Sequence, residues 1–313
     1  MAFFSVVIPL YNKEKYIQKA IQSVLDQSFD DFELIIINDG SKDESLTKIE
    51  AIKDKRIQIV NQENAGVSAT RNKGVSLAKS EYIAFLDADD WWERDFLLEI
   101  KTLITNFPEA KIFASKYFRV KNGIKTANLN YENETFSGYL DYIKAYIFAW
   151  WMPLTSSSIV ISKSVLEEMK GFNEKLKFGE DFELWIRIIL KYKLAYTNKV
   201  LVNYLQDVEI ENRAVQRKIW KKEEHFIFNL DFLNPFLTEK TDLKKLIDGL
   251  KVRSLHYFYR KGVYKNEVRS LLNSVDFIKQ SFRYRFYYNY PFFISESYFR
   301  LKILASKIKQ KLK

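Results

Sequence analysis

Two short acidic runs are the residues of this chain best suited to chemistry. The first, Asp87-Ala88-Asp89-Asp90, sets three carboxylates within four residues, directly after the apolar run Tyr82-Ile83-Ala84-Phe85-Leu86. Such a run reads as a buried strand that delivers acids to its carboxyl end, where open α/β sheets bind ligands. Crowded carboxylates repel one another unless a cation sits among them. Oxygen donors with no Cys or His nearby suit Mg²⁺ or Mn²⁺, which keeps several waters and takes its remaining ligands from phosphates. The pattern points to a metal-bound diphosphate; the plainer alternative is a turn of solvated acids capping the next helix. The second run, Gly179-Glu180-Asp181, opens an amphipathic stretch with Leu184 and Ile188 on its apolar face. Its acids stand at the exposed entry of that helix, where the helix dipole favours negative charge.

Composition narrows the chemistry further. At 313 residues, 47% hydrophobic and 29% charged, the chain is long enough for one large α/β domain and a smaller appendage. The absence of Cys excludes disulfides, thiolate metal sites and Cys nucleophiles, and His225 and His256 are too few for imidazole-rich metal centres. The amino terminus reads as a first strand rather than a signal peptide, so a cytoplasmic location is expected. Ala145 to Leu154 is about half the ~20 residues a membrane-spanning helix needs. Charge is unevenly placed: residues 1–250 balance to −2, whereas 251–313 carry +12.

The elements that must position the acids follow from periodicity. Phe3 to Pro9, Phe32 to Asn38 and Arg56 to Asn61 read as strands, with a helical pattern between the first two at Ile17, Ala20, Ile21, Val24 and Leu25. Asp39-Gly40-Ser41 forms a turn after the second strand, and a turn at Gly66 opens a helix that ends near Lys79. This order predicts a mainly parallel central sheet flanked by helices, with right-handed crossovers. Arg71, one helical turn beyond Gly66, is placed to meet a diphosphate with directional hydrogen bonds, aided by the amides of that helix's first turn. Lys111 to Val120, the Lys121-Asn122-Gly123 turn, and Ser157 to Ser162 read as further strands and a turn, with Ser162 to Met169 a capped helix. Trp150, Trp151 and Met152 are candidates for a surface on which a sugar ring stacks, although the commoner fate of such residues is core.

Four motifs in order, Ser5-Val6-Val7-Ile8-Pro9-Leu10-Tyr11-Asn12, Asn38-Asp39-Gly40-Ser41-Lys42-Asp43, Asn64-Ala65-Gly66-Val67-Ser68-Ala69-Thr70-Arg71-Asn72 and the Asp87 to Asp90 cluster, resemble family 2 glycosyltransferases. The resemblance covers roughly residues 3–204. It implies the GT-A fold, with a Rossmann-like nucleotide-binding half at 1–107 and an acceptor half at 108–205, and a metal-dependent, inverting transfer from a UDP-sugar. By the same resemblance Pro9, Tyr11 and Asn12 hold the base and ribose, Asp39 accepts from uracil N3, Asp87 contacts the ribose and Asp89 binds the Mn²⁺ or Mg²⁺. Asp90 supports either acid or caps the following helix. Asp181 matches the family's catalytic base, which takes the acceptor hydroxyl's proton. Trp91 and Trp92 are expected to pack at the sheet edge.

Two departures matter. Where relatives carry a Tyr-Arg-x-His run, this chain has Tyr204-Leu205-Gln206-Asp207. The Gln-x-x-Arg-Trp motif of processive relatives is also missing, because Gln216-Arg217-Lys218-Ile219-Trp220 has the wrong spacing, so transfer of single sugars is expected. The expected acceptor is a glycan or lipid-linked oligosaccharide in surface polysaccharide biosynthesis. Residues 206–313 are expected to be helical, starting with a helical period over 213 to 233. The tail from Tyr284 to Phe293 is aromatic and basic, and Leu301, Leu304, Ile308 and Leu312 fall on one helix face among lysines. That pattern fits either a helix on an anionic membrane surface or one packed against protein. A non-catalytic sugar-nucleotide or nucleic-acid binder using the tail is the alternative function. The joint presence of Asp89 and Asp181 argues against it, since a binder needs no base.

Overall fold

The structure, a computed structural model, describes residues 2–129, 131–133, 135–207, 219–289 and 297. The first half alternates as expected: β1 (Phe4–Leu10), α1 (Ile17–Leu25), β2 (Phe32–Asp39), α2 (Ser45–Glu50), β3 (Ile57–Gln62), α3 (Val67–Leu77) and β4 (Tyr82–Phe85). β1 is apolar on both faces because it lies between β2 and β4, parallel to each, with helices over the sheet. β3 pairs in parallel outside β2. The carboxyl ends of these strands thus open on one side, where Asp39 and Asp87 emerge.

The second half comprises β5 (Trp91–Trp92), α4 (Phe96–Asn106), β6 (Ala110–Lys121), β7 (Ile124–Ala127), β8 (Ser137–Tyr139), α5 (Tyr142–Ala149), β9 (Ile159–Ser162), α6 (Lys163–Glu168), α7 (Glu180–Ile189) and β10 (Lys193–Leu205). The sheet runs β3-β2-β1-β4-β9-β6-β10-β5, with β7 beside β6 and β8 beside β10. β9 joins the halves antiparallel to both β4 and β6, while β10 returns parallel to β6. The tryptophans of β5 lie at the sheet edge as expected, and Trp92 is buried with its indole N–H donating to the Ser157 carbonyl at 2.7 Å.

Close approach of α3 to the sheet depends on one glycine. A Cβ on Gly74 would lie 2.3 Å from Val7 Cγ1, so the helix interior carries a residue of poor helix propensity to let the two backbones meet. Gly179, which precedes α7, has φ +77° and its Cβ would lie 2.3 Å from the Phe226 ring.

The chain divides into two compact units, 1–228 and 229–313, so the boundary expected after residue 205 lies later. The reason is residues 219–228, which belong with the first unit. Trp220 stacks over Phe178, His225 bridges to the Phe178 backbone, and Phe226 packs on Phe182. The helix expected over 213 to 233 is not formed in its described part, 219–233; three short 3-10 turns stand there. Burial of Phe226, Ile227, Leu230 and Leu233 satisfies the apolar pattern without one continuous helical face. The earlier part of that stretch, 208–218, and the tail from 290 that includes Leu301, Leu304, Ile308 and Leu312 lie outside the described residues.

The second unit is helical, as expected: α8 (Asn234–Leu237), α9 (Thr241–Lys261), α10 (Lys265–Asn273) and α11 (Phe282–Asn289). Asp248 is buried within it and holds Lys244 Nζ at 2.5 Å and the Asp276 amide at 3.1 Å, so its charge is matched locally. Among the described residues no helix is long and apolar enough to cross a membrane.

Candidate active site

The Asp87 to Asp90 loop leaves β4 beside β1, with the Leu86 amide donating to the Val7 carbonyl at 3.1 Å. Its three carboxylates then take separate positions. Asp90 turns inward, 1% exposed, accepting from Ser157 Oγ at 2.5 Å and the Leu205 amide at 2.9 Å. It caps no helix, since Asp95 stands at the start of α4. It fastens the loop to β10 and to the turn before β9, and burial, then Asp89 and Asp87, push its carboxyl well above the ordinary range. Ser157 works from both sides, because its Oγ also accepts from the Asp87 amide at 3.0 Å.

Asp89 faces Lys13, whose Nζ lies 2.8 Å from Oδ2. Burial raises the Asp89 carboxyl; Lys13 pulls it down and Asp87 pushes it up. Two carboxylates supplying oxygen only, with a cation already drawn to one of them, are a donor set that fits Mg²⁺ or Mn²⁺. Such ions take few protein ligands and complete their shell from water and phosphate. Among the described residues no group of three or more His, Cys, Asp or Glu side chains is arranged to hold a metal ion.

Arg71 connects this loop to the second acidic run. It is buried in α3, with Nη2 2.7 Å from Asp87 Oδ1 and Nη1 3.3 Å from Glu180 Oε1, and its guanidinium lies 5.1 Å from the Phe172 ring centre. Burial alone would lower its pKa, but Asp87 and Glu180 outweigh that and raise it, so the guanidinium is a fixed positive charge. Both of its terminal nitrogens are engaged by protein carboxylates, while its Nε has no acceptor among the described residues. Asn72 extends the link, its Oδ1 accepting from the Phe172 amide at 2.8 Å and its Nδ2 donating to the Phe172 carbonyl at 2.9 Å. Residues 71 and 72 of the nucleotide half therefore hold the loop that leads to α7.

At the start of α7, Glu180 and Asp181 share a crowded pocket of charge. Burial, with Asp181 adding and Arg71 opposing, pushes the Glu180 carboxyl up to about 7. Burial also raises Asp181, which feels both Arg71 and Asp87. The two differ in their partners. Glu180 is tied to Arg71, whereas Asp181 accepts from the Phe182 amide at 2.7 Å and has no ion pair among the described residues. Of the two, Asp181 has the fewer charged partners among the described residues.

The expected base-binding residues lie at the ends of β1 and β2. Tyr11 is 42% exposed, which suits a ring offered to a ligand. Asn12, at φ +50°, joins the strand ends by accepting from the Lys42 amide at 2.8 Å and donating its own amide to Ser41 Oγ at 3.1 Å. Pro9 sits in register with Ile37 inside the sheet. Asp39, 3% exposed, accepts from Gln62 Nε2 at 2.7 Å and from the Ala65 and Gly66 amides at 2.9 and 3.0 Å. It organises the entry of α3, and three of its roughly four lone-pair sites are taken.

Tyr204, at the end of β10, is raised first by burial and then by Asp90, Asp87, Asp89 and Asp181, so it lies in the field of these four acids. Where relatives have His, Asp207 accepts from the Asn122 amide and closes the β6–β7 turn. Ser157 and Lys13 carried no sequence signal of their own. Ser157 sits in a plain Ser-Ser-Ser run, and Lys13 in what reads as a solvated helix entry.

A parallel first half joined through an antiparallel strand to a second half, with acids beyond the strand ends, defines the GT-A class of fold. The family model described as Glycosyl transferase family 2 matches residues 5–169, and the chain belongs to that family. An uncharacterized glycosyltransferase of Methanocaldococcus jannaschii is 32% identical over 250 residues, covering 74% of this chain and 84% of the relative. The chondroitin synthase of Pasteurella multocida is 25% identical over 84% of this chain, yet the match spans only 26% of that longer protein. Staphylococcus aureus TarS 1–349, solved in complex with UDP-GlcNAc, superposes with a TM-score of 0.69 at 19% identity, covering 88% of this chain and 82% of that one.

Proposed function

We propose that this glycosyltransferase moves one sugar, with inversion, from a UDP-sugar to a glycan or lipid-linked acceptor, using Asp181 as base and Asp89 as ligand to Mn²⁺ or Mg²⁺. The observation that carries the reading is the Arg71 bridge, which brings Asp87 and the Glu180-Asp181 run into one charged centre although they are far apart in sequence. A UDP-sugar donor suits the carboxylates beyond β1, β2 and β4, and the TarS complex with UDP-GlcNAc supports a nucleotide sugar on this fold.

In this reading Tyr11, Asn12 and Pro9 flank the base, Asp39 offers its remaining lone pair to uracil N3, and Asp87 meets the ribose. Asp181 takes the acceptor hydroxyl's proton as that oxygen bonds to the anomeric carbon, and the bond to the diphosphate breaks on the opposite face. Asp89 would hold the cation, which would supply positive charge to offset the negative charge developing on the leaving diphosphate. Arg71 keeps Asp87 and Glu180 in place and compensates part of their charge, leaving Asp181 without a cation of its own. Transfer of single sugars follows from the missing processive motif.

Calorimetric titration with UDP, in Mn²⁺ and in EDTA, tests the donor half. Tight binding only in Mn²⁺ is expected, because a diphosphate beside Asp89 needs a neutralising cation. Equal affinity in both would remove the metal from the account. Release of UDP from UDP-sugars, accelerated by a mixture of glycan and lipid-linked acceptors, separates a transferase from a binder.

A further inference from the structure

We propose that Arg119 and Trp151 form an acceptor subsite for an oxyanion carried by the acceptor sugar, a phosphate or a uronate carboxylate. The proposal rests on the transferase reading and names the chemistry of its acceptor.

Arg119 lies in β6 in register with Tyr204 of β10, and paired residues of neighbouring strands stand on the same face of a sheet. Tyr117, two residues earlier, shares that face, and its ring lies 6.0 Å from that of Tyr204. Trp151 is held there: its indole N–H donates to Tyr117 Oη at 2.9 Å, and that hydroxyl donates to the Met152 carbonyl at 2.8 Å. The guanidinium of Arg119 lies over this fixed indole, 4.9 Å from the ring centre. Stacking uses the face of a guanidinium and leaves its in-plane N–H edge for an oxyanion.

Among the described residues that edge lacks a partner. Among the described residues Arg119 makes no ion pair, and its Nε is buried with no hydrogen-bond acceptor. A solvated arginine needs no partner; a buried donor does. Arg71, whose Nε is likewise without an acceptor, still has a carboxylate in Asp87, and Arg56 has one in Asp54; Arg119 has none among the described residues.

Location makes the missing partner an acceptor group. Tyr204, the cross-strand neighbour of Arg119, lies in the field of Asp87, Asp89 and Asp181. The subsite therefore adjoins the reaction centre. β6 and β10 lie beyond β9, on the opposite side of β4 from the β1 and β2 ends that carry Tyr11 and Asp39. With Trp151 fixing the guanidinium, a sugar whose oxyanion meets Arg119 would enter from the side opposite the donor base.

The test uses the full-length protein with Mn²⁺ and UDP, titrated with methyl β-glucuronide, glucose 6-phosphate and methyl β-glucoside, with binding followed by saturation-transfer NMR. At least one charged sugar should bind ~10-fold or more tightly than the neutral one, the scale of a charge-assisted bidentate contact. Whichever it is identifies the oxyanion. Arg119→Gln should abolish the preference, Arg119→Lys should restore part of it, and UDP affinity should stay unchanged in both. Equal binding of charged and neutral sugars by the wild-type protein would overturn the proposal without any variant. A fall in UDP affinity in Arg119→Gln would also overturn it, by assigning the arginine to the donor. If the wild-type protein fails to bind UDP with Mn²⁺, the donor reading itself falls, and this one with it.

Discussion

Asp39 and Asp181 are both carboxylates at the ends of elements, yet their surroundings leave them different amounts of freedom. Asp39 is spent largely on the turn into α3, whereas Asp181 bonds only to its own helix. The types of these residues, and the roles their motifs imply, were legible in the sequence. What was not legible was partnership: spacing shows where the Arg71 side chain starts and not that Asp87 and Glu180 fold back upon it. Crowding of acids has a consequence for stability. The Glu180 carboxyl, pushed to about 7 by burial and then by Asp181, holds a proton in the folded protein that the unfolded chain, near the ordinary 4.5, has released. Its contribution is therefore full below the unfolded value and is lost as pH rises toward 7. Thermal denaturation should show the melting temperature falling between about pH 5 and pH 7.5, with Glu180→Gln flattening the fall. The group's share is up to about 3 kcal/mol, from 1.36 kcal/mol per pKa unit. Identical pH dependence in the two proteins would show that Glu180 is ionised throughout.

Among the elements, α3 does most to position the site. It carries Arg71 and Asn72, and its tight packing on β1 sets the height at which they act. Gly74→Ala tests that packing with two effects of opposite sign. Better helix propensity contributes about 1 kcal/mol in favour of Ala. A Cβ 2.3 Å from Val7 forces a backbone or side-chain shift that costs about 1–3 kcal/mol. The clash should win, and urea denaturation should show a net loss of stability; a more stable variant would mean that α3 can move off the sheet freely. The strands and helices of the first half were readable because each is a periodic run closed by a turn residue. Residues 219 to 233 misled for a related reason: their apolar positions recur at helical spacing, but Trp220, His225 and Phe226 are bound to Phe178 and Phe182, contacts far away in sequence. Ser157 was invisible for the same cause, since its two bonds to the acidic loop join segments that only the folded sheet brings together.

For the molecule as a whole, charge is the property that separates its parts, with −2 over residues 1–250 and +12 over 251–313. A basic, aromatic carboxyl-terminal region near an anionic leaflet contributes about 1 kcal/mol for each engaged Lys or Arg, a salt-sensitive attraction. Full-length protein should co-sediment with anionic liposomes at low salt, release at high salt and ignore neutral liposomes; indifference to anionic liposomes at low salt would leave the region as a packing surface. The central claim is that the two acidic runs form one transfer site in which Asp181 is the base. Asp181→Asn, which keeps the shape but cannot accept a proton, measures it most directly when acceptor-dependent turnover and calorimetric UDP affinity are followed in the same protein. The account predicts a fall in turnover of ~10²-fold or more, with UDP affinity nearly unchanged. Turnover that survives the substitution would contradict it and move the base elsewhere, to Glu180 first.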